Sequence, residues 1–119
     1  MRTSDRRDVL FAPGTVVKVP FPYTDRATRQ RRPALIVSSA ELQHKHRVSW
    51  VLMITSAENR GWEGDVEIDD LARAGLPVPS VVRSAKIATI DSRDAESLGR
   101  LSALTLDVVM VNLQAVLRG

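Results

Sequence analysis

The stretch RRPALIVSS at residues 31–39 indicates the fold, because a basic pair and a proline lead directly into a β-branched strand that ends in two serines. A valine-rich block, GTVVKVPFPYTD at 14–25, precedes it, and an apolar block, WVLMITS at 50–56, follows it. Pro20 and Pro22 cannot continue a central strand, so the first block must end in a loop. Polar residues therefore collect at strand ends, where small β proteins place their chemistry.

Length and composition indicate one globular domain. The 119 residues suffice for a single core, and the apolar fraction of 44% is ordinary for a globular protein. We expect residues 1–8 to be a mobile polar lead-in and residues 9–119 to form a single domain. No long apolar run and no signal segment is evident, which predicts a cytoplasmic protein without membrane contact. The absence of cysteine excludes disulfides and thiolate chemistry.

Several short strands and one helix are expected after the lead-in. Segments of strand composition occur at 15–20, 34–38, 48–55, 65–69 and 80–91. The last of these is either two short strands or one bent strand. The polar stretch 41–47, which contains His44 and His46, is expected to be a loop. The pattern predicts a compact, curved antiparallel sheet or a small barrel.

The closing segment has the features of a C-terminal helix. Ser102 is suited to cap it, and apolar residues then recur at helical spacing. Its other face, with Val108 and Val111, is also apolar. This helix is therefore expected to be covered both by its own sheet and by a partner.

The net charge of +3 is unevenly distributed. Residues 1–60 carry 11 Lys/Arg against 5 Asp/Glu, whereas residues 61–119 carry 6 against 9. A basic half that also holds the polar strand ends suits a polyanion such as RNA or DNA. Charge alone is weak evidence, because most basic surfaces on small proteins are solvated faces.

Seven blocks in the same order resemble the MazF/PemK toxins, which are small ribonucleases of bacterial toxin–antitoxin pairs. The opening G-x-V-x-x-V-P-F-P-x-T-D is matched by residues 14–25, the R-R-P-A-L-x-V-S block by 31–38, and the strand ending I-T-S by 54–56. GDVEIDD, GLPVPSVVR, KIATID and LGRLS follow in the family's order. The resemblance runs from about residue 14 to the C-terminus.

This resemblance implies a fold, an activity and partners. The fold is an SH3-like small barrel of curved antiparallel strands with a terminal helix. The activity is that of a toxin which cleaves single-stranded RNA as a sequence-specific, metal-independent endoribonuclease, by attack of the ribose 2′-OH and without a cofactor. The partners are a second copy in a homodimer and a cognate acidic antitoxin that blocks the site.

The resemblance also assigns the catalytic residues. Arg32, at the family's R-P position, is matched to its catalytic arginine, and the planar guanidinium fork of an arginine can hold two phosphate oxygens. Thr55 is the second catalytic match, a hydroxyl able to hold the scissile phosphate or the 2′-oxygen. The residues predicted to bind RNA are Asp25, Arg31, Ser56, Arg83 and Lys86.

One position departs from the family pattern. Many members carry an acidic residue two positions after the arginine that Arg83 matches, and this chain has Ala85 there. This departure leaves open the alternative that the barrel binds RNA or DNA without cutting it. A second alternative is a gyrase poison of the related CcdB architecture, which lacks the RRPALIVSS block.

Two other groups of residues have less specific interpretations. His44 and His46 invite comparison with two-histidine ribonucleases, but a polar loop is the simpler interpretation. Alternation places Asp65, Glu67 and Asp69 on one strand face, and we interpret them as a solvated face rather than a metal site.

Overall fold

The computed structural model describes residues 9–20 and 30–119. The predicted lead-in at residues 1–8 and the predicted site residue Asp25 lie outside the described residues. The strands are β1 Thr15–Pro20, β2 Arg31–Ile36, β3 Val48–Ser56, β4 Asp65–Glu67, β5 Ser80–Asp91 and β6 Glu96–Arg100. The helices are α1 Ala40–His46, α2 Leu71–Ala74 and α3 Ala103–Arg118, and 3-10 turns form at Ala57–Asn59 and Ser92–Asp94.

The strands form one antiparallel sheet in the order β4-β5-β3-β2-β1-β6. Within the described ranges, β4 and β6 each pair with a single neighbour, so hydrogen bonds do not close the sheet into a complete barrel. The predicted mainly β fold with a C-terminal helix is confirmed. Since β3 lies between β2 and β5, side chains from both neighbours can meet the polar end of β3.

Alternating residues of β3 contribute to two hydrophobic clusters, one on each face of the sheet. Leu52 and Ile54 pack with Val109 and Leu113 of α3. Val51 belongs to the cluster on the other face. Full burial of a side chain of this size contributes about 1.5–3 kcal/mol relative to exposure. The body of β3 is thus fixed from both sides, which gives its C-terminal residues a defined position.

Residues 40–46 form helix α1, so the prediction of a polar loop over 41–47 is wrong. The side chain of Ser39 caps the helix by accepting from the Leu42 N–H. Gln43 is buried, and its Oε1 accepts from the Phe11 N–H at 2.8 Å while its Nε2 donates to the Val9 carbonyl at 2.7 Å. These contacts with a distant segment stabilise a helix too short to persist alone.

Residues 80–91 form one strand with an irregularity, which resolves the alternatives left open by the sequence. Leu52 of β3 pairs with Ile87, but the next residue, Met53, pairs with Arg83. Residues 84–86 therefore form an insertion relative to β3. The first part of β5 also pairs with β4, where Asp65 lies opposite Arg83.

The predicted cap of the C-terminal helix is present. Ser102 accepts from the Thr105 N–H, and both side-chain hydroxyls donate to the Asp69 carboxylate at 2.8–3.0 Å. The hydrogen bond from Thr105, followed by that from Ser102, lowers the pKa of Asp69. This carboxylate therefore joins the end of the β4 segment to the start of α3.

The outward face of α3 is apolar and exposed. Leu104 is 72% and Val111 is 64% accessible, and Val108, Val116 and Leu117 are also exposed. The described ranges include no helix that is long and apolar enough to cross a membrane.

Candidate functional site

A cleft of about 400 Å³ opens where β2 begins and β3 ends. Its polar lining includes Lys18 of β1, Arg32 of β2, and Thr55 and Ser56 of β3, and residues 75–78 complete one side. The pairing between β2 and β3 ends at Ala34 and Met53. Continuing that antiparallel register by two residues brings Arg32 opposite Thr55. The sheet thus brings the two predicted catalytic residues together in this cleft. We call it the Arg32 cleft.

Arg32 has an unused donor at this cleft. The side chain is partly buried, and among residues 9–20 and 30–119 no group accepts a hydrogen bond from its Nε. Leaving a buried donor unpaired costs about 1–3 kcal/mol. This atom is itself buried, while the residue belongs to the lining of the open cleft.

Thr55 and Ser56 are both tied to the 3-10 turn that follows β3. Thr55 Oγ1 accepts from Asn59 Nδ2 at 3.0 Å. Ser56 Oγ accepts from the Glu58 N–H at 3.2 Å and so caps the turn. Both hydroxyl oxygens are acceptors in these contacts, so each hydroxyl keeps its proton for another acceptor.

Arg31 lies beside the Arg32 cleft but is not part of its lining. Its Nη2 donates to the carbonyls of Lys18 and Asp94 at 3.2 and 3.3 Å and lies 3.8 Å from the Glu96 carboxylate. Since the pair with Glu96 is exposed, solvent screens it strongly. Arg31 therefore presents positive charge on the β1–β6 side of the cleft.

Arg83 lies outside the Arg32 cleft and is bound within the protein. Its Nε and Nη2 donate to the two carboxylate oxygens of Asp65 at 3.1 and 2.9 Å, and Nη2 also donates to the Asn59 carbonyl at 2.7 Å. The Trp62 ring centroid lies 4.3 Å from the guanidinium carbon. Both charged side chains are only 8% exposed. The structure thus does not bring Arg83 together with Arg32 and Thr55.

The same contacts explain the electrostatics of Asp65. The hydrogen bonds from Arg83 are the largest cause that lowers the pKa of this carboxyl, and the backbone N–H groups of Trp62 and Gly61 add to them, while burial acts in the opposite direction. The interpretation of Asp65 as part of a solvated acidic face is therefore wrong. Glu67, by contrast, is exposed.

A larger cavity of about 690 Å³ lies between α3 and the β5 irregularity. Its lining includes Trp62, Glu63, Ala85 and Asn112 and contains no lysine or arginine from the described ranges. Lys86 Nζ is 5.7 Å from the Trp62 ring centroid, on this side of the molecule. The Arg32 cleft, which has two cationic side chains in its lining, suits a polyanion better.

Sequence reasoning missed several contributors to the Arg32 cleft, among them Lys18, Asn59 and the wall at residues 75–78. Lys18 is the single charge within the valine-rich strand, which was a usable signal. Asn59 carried no signal because its role depends on the turn after β3.

The wall at residues 75–78 is held by direct backbone contact between α2 and β6. A Cβ added at Gly99 would overlap the carbonyl oxygen of Arg73, and one added at Gly75 would overlap that of Leu98. Gly75 also ends α2 with φ of 75°, a left-handed conformation that favours glycine. The two glycines thus set the distance between α2 and β6 at the cleft.

Within the described ranges, no group of three or more His, Asp or Glu side chains is arranged to hold a metal ion. His44 and His46 are exposed on α1 and do not line the Arg32 cleft.

Several solved structures resemble this chain. MazF (Form-I) from Deinococcus radiodurans has 25% sequence identity and a TM-score of 0.74, with 93% of this chain and 99% of that chain covered. The MazE-MazF structure (Form-II) from the same organism has 28% identity and a TM-score of 0.72, with 92% and 96% covered. An endoribonuclease in complex with its cognate antitoxin from Mycobacterial species has a TM-score of 0.69 at 17% identity, with 92% and 94% covered, and shares the fold.

Sequence comparison gives the family. No curated protein matches the chain significantly. The family model described as PemK-like, MazF-like toxin of type II toxin-antitoxin system matches residues 12–117. Since that match spans most of the sequence, the chain belongs to the PemK-like, MazF-like toxins of type II toxin–antitoxin systems.

Proposed function

We propose that this chain is a metal-independent endoribonuclease that cleaves single-stranded RNA in the cytoplasm. The observation that carries the proposal is Arg32, which lines an open cleft together with Thr55 and has a buried Nε without a partner among residues 9–20 and 30–119. Family membership and the endoribonuclease with the same fold support it.

In the proposed reaction the ribose 2′-oxygen attacks the adjacent phosphorus and loses its proton. The bond from phosphorus to the 5′-oxygen breaks, that oxygen gains a proton, and the products are a 2′,3′-cyclic phosphate and a 5′-hydroxyl. Arg32 stabilises the charge that develops on the phosphate oxygens, since a guanidinium remains charged and offers a planar fork of donors. The Thr55 hydroxyl donates to one of these oxygens.

Charged side chains around the Arg32 cleft are proposed to hold the rest of the RNA. Lys18 lines the cleft, and the exposed Arg31 is suited to a neighbouring phosphate. Asp25, Ser56 and Lys86 stay proposed RNA contacts. The proposal omits Arg83, because its Nε and Nη2 donate to groups of the protein itself.

The proposal is tested by incubating the purified protein with mixed single-stranded RNA and a chelator. We expect new ends with a 5′-hydroxyl and a 2′,3′-cyclic phosphate. Removing an arginine that stabilises phosphoryl transition-state charge costs about 10³–10⁵ in rate, so Arg32→Ala should lose nearly all cleavage. Arg93→Ala is the matched control, because Arg93 is exposed and pairs with Asp91 outside the cleft.

Intact RNA, or equal cleavage by Arg32→Ala, would overturn the proposal. RNA binding without new ends would favour a barrel that binds nucleic acid without cutting it, the alternative left open by Ala85. Ala85 lies in the lining of the larger cavity. DNA breaks in cells with intact RNA would favour the gyrase-poison alternative.

We also propose an acidic antitoxin as the partner that blocks the Arg32 cleft. Structures of MazE-MazF support an antitoxin partner for this family. A partly disordered acidic segment would complement Arg32 and Lys18 and would fold as it binds.

A homodimer is proposed to cover the outward face of α3. The large apolar side chains there, among them Leu104 and Val111, are exposed in the single chain. An apolar helix face can pack against the same face of a second copy, which gives a two-fold symmetric interface. Sedimentation analysis should show a dimer, and Val111→Lys should yield a folded monomer; a monomeric parent chain would contradict the proposal.

A further inference from the structure

The Thr55 hydroxyl is held by an amide that has a defined hydrogen-bond direction. Asn59 Nδ2 donates to Thr55 Oγ1 at 3.0 Å. The threonine oxygen is therefore the acceptor in this contact, and its own proton is directed elsewhere. Both residues line the Arg32 cleft. We propose that Asn59 is a positioning residue that turns the Thr55 proton toward a phosphate oxygen in the cleft; the inference rests on the function proposed above.

Asn59 is itself held by a buried ion pair. Its backbone carbonyl accepts a hydrogen bond from Arg83 Nη2 at 2.7 Å, and Arg83 is bound through two hydrogen bonds to Asp65. We call Arg83 and Asp65 the brace. Since both side chains are 8% exposed and each charge is compensated by the other, the brace has little freedom to move.

The brace also holds the residues that follow the turn. Asp65 Oδ2 accepts from the backbone N–H groups of Gly61 and Trp62, each at 3.3 Å. At the start of the turn, the Ala57 N–H donates to the Pro79 carbonyl at 2.9 Å. The segment from β3 to β4 is thus anchored on both sides of Asn59. Arg83, which the resemblance predicts to bind RNA, thus fixes the residue that orients the threonine.

A change of hydrogen-bond polarity separates orientation from simple packing. Asn59→Asp has nearly the same shape, but a carboxylate accepts where the amide donates. The Thr55 proton would then point at residue 59 rather than at RNA. Asn59→Ala removes the contact and leaves the hydroxyl free to rotate, so its effect should be smaller.

The experiment measures kcat and KM on a defined RNA for the parent chain, Asn59→Asp, Asn59→Ala, Thr55→Ala and the double variant Thr55→Ala/Asn59→Asp. Loss of one donor to developing charge typically lowers kcat about 100- to 1000-fold, and we expect this for both Thr55→Ala and Asn59→Asp. Asn59→Ala should lower kcat about 10-fold. Gln114→Glu, an exposed change of the same charge on α3, is the control. Melting temperatures identify variants that merely unfold.

The double variant decides whether Asn59 acts through Thr55. If it does, adding Asn59→Asp to Thr55→Ala should lower kcat by less than about 3-fold, because the effects of coupled residues are not additive. If the new charge simply repels RNA, the two effects multiply and weaken with added salt. Multiplying effects, or Asn59→Asp with kcat within about 3-fold of the parent chain, would overturn the inference.

A 2′-deoxy oligonucleotide separates this inference from the proposed reaction. It lacks the attacking hydroxyl and cannot be cut, but it keeps the phosphates. Asn59→Asp should weaken its binding about 10-fold or more, and again only when Thr55 is present. If the parent chain binds but does not cut RNA, the proposed function fails while this arm still decides the role of Asn59. A chain that neither cuts nor binds overturns both.

Discussion

Arg32 and Arg83 lie on the two strands that flank β3, yet their surroundings make them different residues. Opposite Arg83 in the β4–β5 ladder is Asp65, which takes two of its donors. Opposite Arg32 in the β1–β2 ladder is Val19, which offers no side-chain acceptor. The cross-strand neighbour thus decides whether a guanidinium serves the fold or stays available to a ligand.

This contrast also has an energetic side. The buried pair at Arg83 compensates the charge of both members. The Nε of Arg32 has no such compensation from residues 9–20 and 30–119, which is a local cost to stability. Binding sites commonly retain such costs because the ligand supplies the missing partner.

Breaking the brace should give the largest change in stability. Arg83→Met leaves the Asp65 charge buried without an opposite charge beside it, and such losses cost about 3–5 kcal/mol. Chemical denaturation of the purified variant measures the free energy of unfolding. Arg83→Met/Asp65→Leu is the control and should recover much of the loss, since an apolar pair of similar volume is often tolerated. A single variant as stable as the parent chain would show that the brace is not structural.

The second largest change in stability should come from acid, which weakens the brace. Folding lowers the pKa of Asp65 through its hydrogen bonds with Arg83, so the stability it contributes is complete above the ordinary carboxyl value of about 4. That contribution is lost as pH falls through the lower pKa of the folded state. The unfolding free energies of the parent chain and Asp65→Asn should therefore converge below about pH 4. Curves that stay parallel from pH 7 to pH 2 would contradict this.

The exposed arginine pair should matter much less. Arg93 pairs with Asp91 at 2.9 Å, close to the distance in the brace, but its side chain is 56% exposed. Exposed pairs contribute about 0–1 kcal/mol, so Arg93→Ala should remain within that range by the same denaturation measurement. A loss as large as that of Arg83→Met would mean that burial is not what distinguishes the two pairs.

Arg32 should give the smallest change in stability and a large change in cleavage. Arg32→Met removes a donor that has no partner in the described ranges, so the free energy of unfolding should change by less than about 0.5 kcal/mol or rise slightly. A loss of several kcal/mol would place Arg32 with Arg83 as a structural residue and would remove the contrast.

The resemblance assigned Arg32 and Thr55 to one site, and their positions at strand ends agree with that assignment. An antiparallel neighbour brings the start of one strand beside the end of the other. Neither the strand ends nor the resemblance indicates the partner of Arg83. Its partner Asp65 is 18 residues away, and their alignment depends on the β4–β5 register. Alternation alone assigns Asp65 the same face as Glu67 and gives no sign that an arginine lies across from it.

Helix α1 shows the same dependence on distant contacts. Residues 41–47 are mostly polar, and apart from the capping Ser39 little in the local sequence distinguishes them from a loop. Gln43 becomes buried only because it binds the backbone at Val9 and Phe11, more than 30 residues earlier. Local composition cannot report a contact of that range.

The two glycines where α2 meets β6 have a consequence for how this toxin can diversify. With backbone against backbone at Gly75 and Gly99, no side chain at either position is free to widen or narrow the cleft. If the proposed function holds, a change of preferred RNA sequence would therefore come from elsewhere on the rim, for example from Val78, which is exposed and lines the cleft. In evolution or in a laboratory selection, the rigid contact would thus restrict changes of the cleft to a few other positions in its lining.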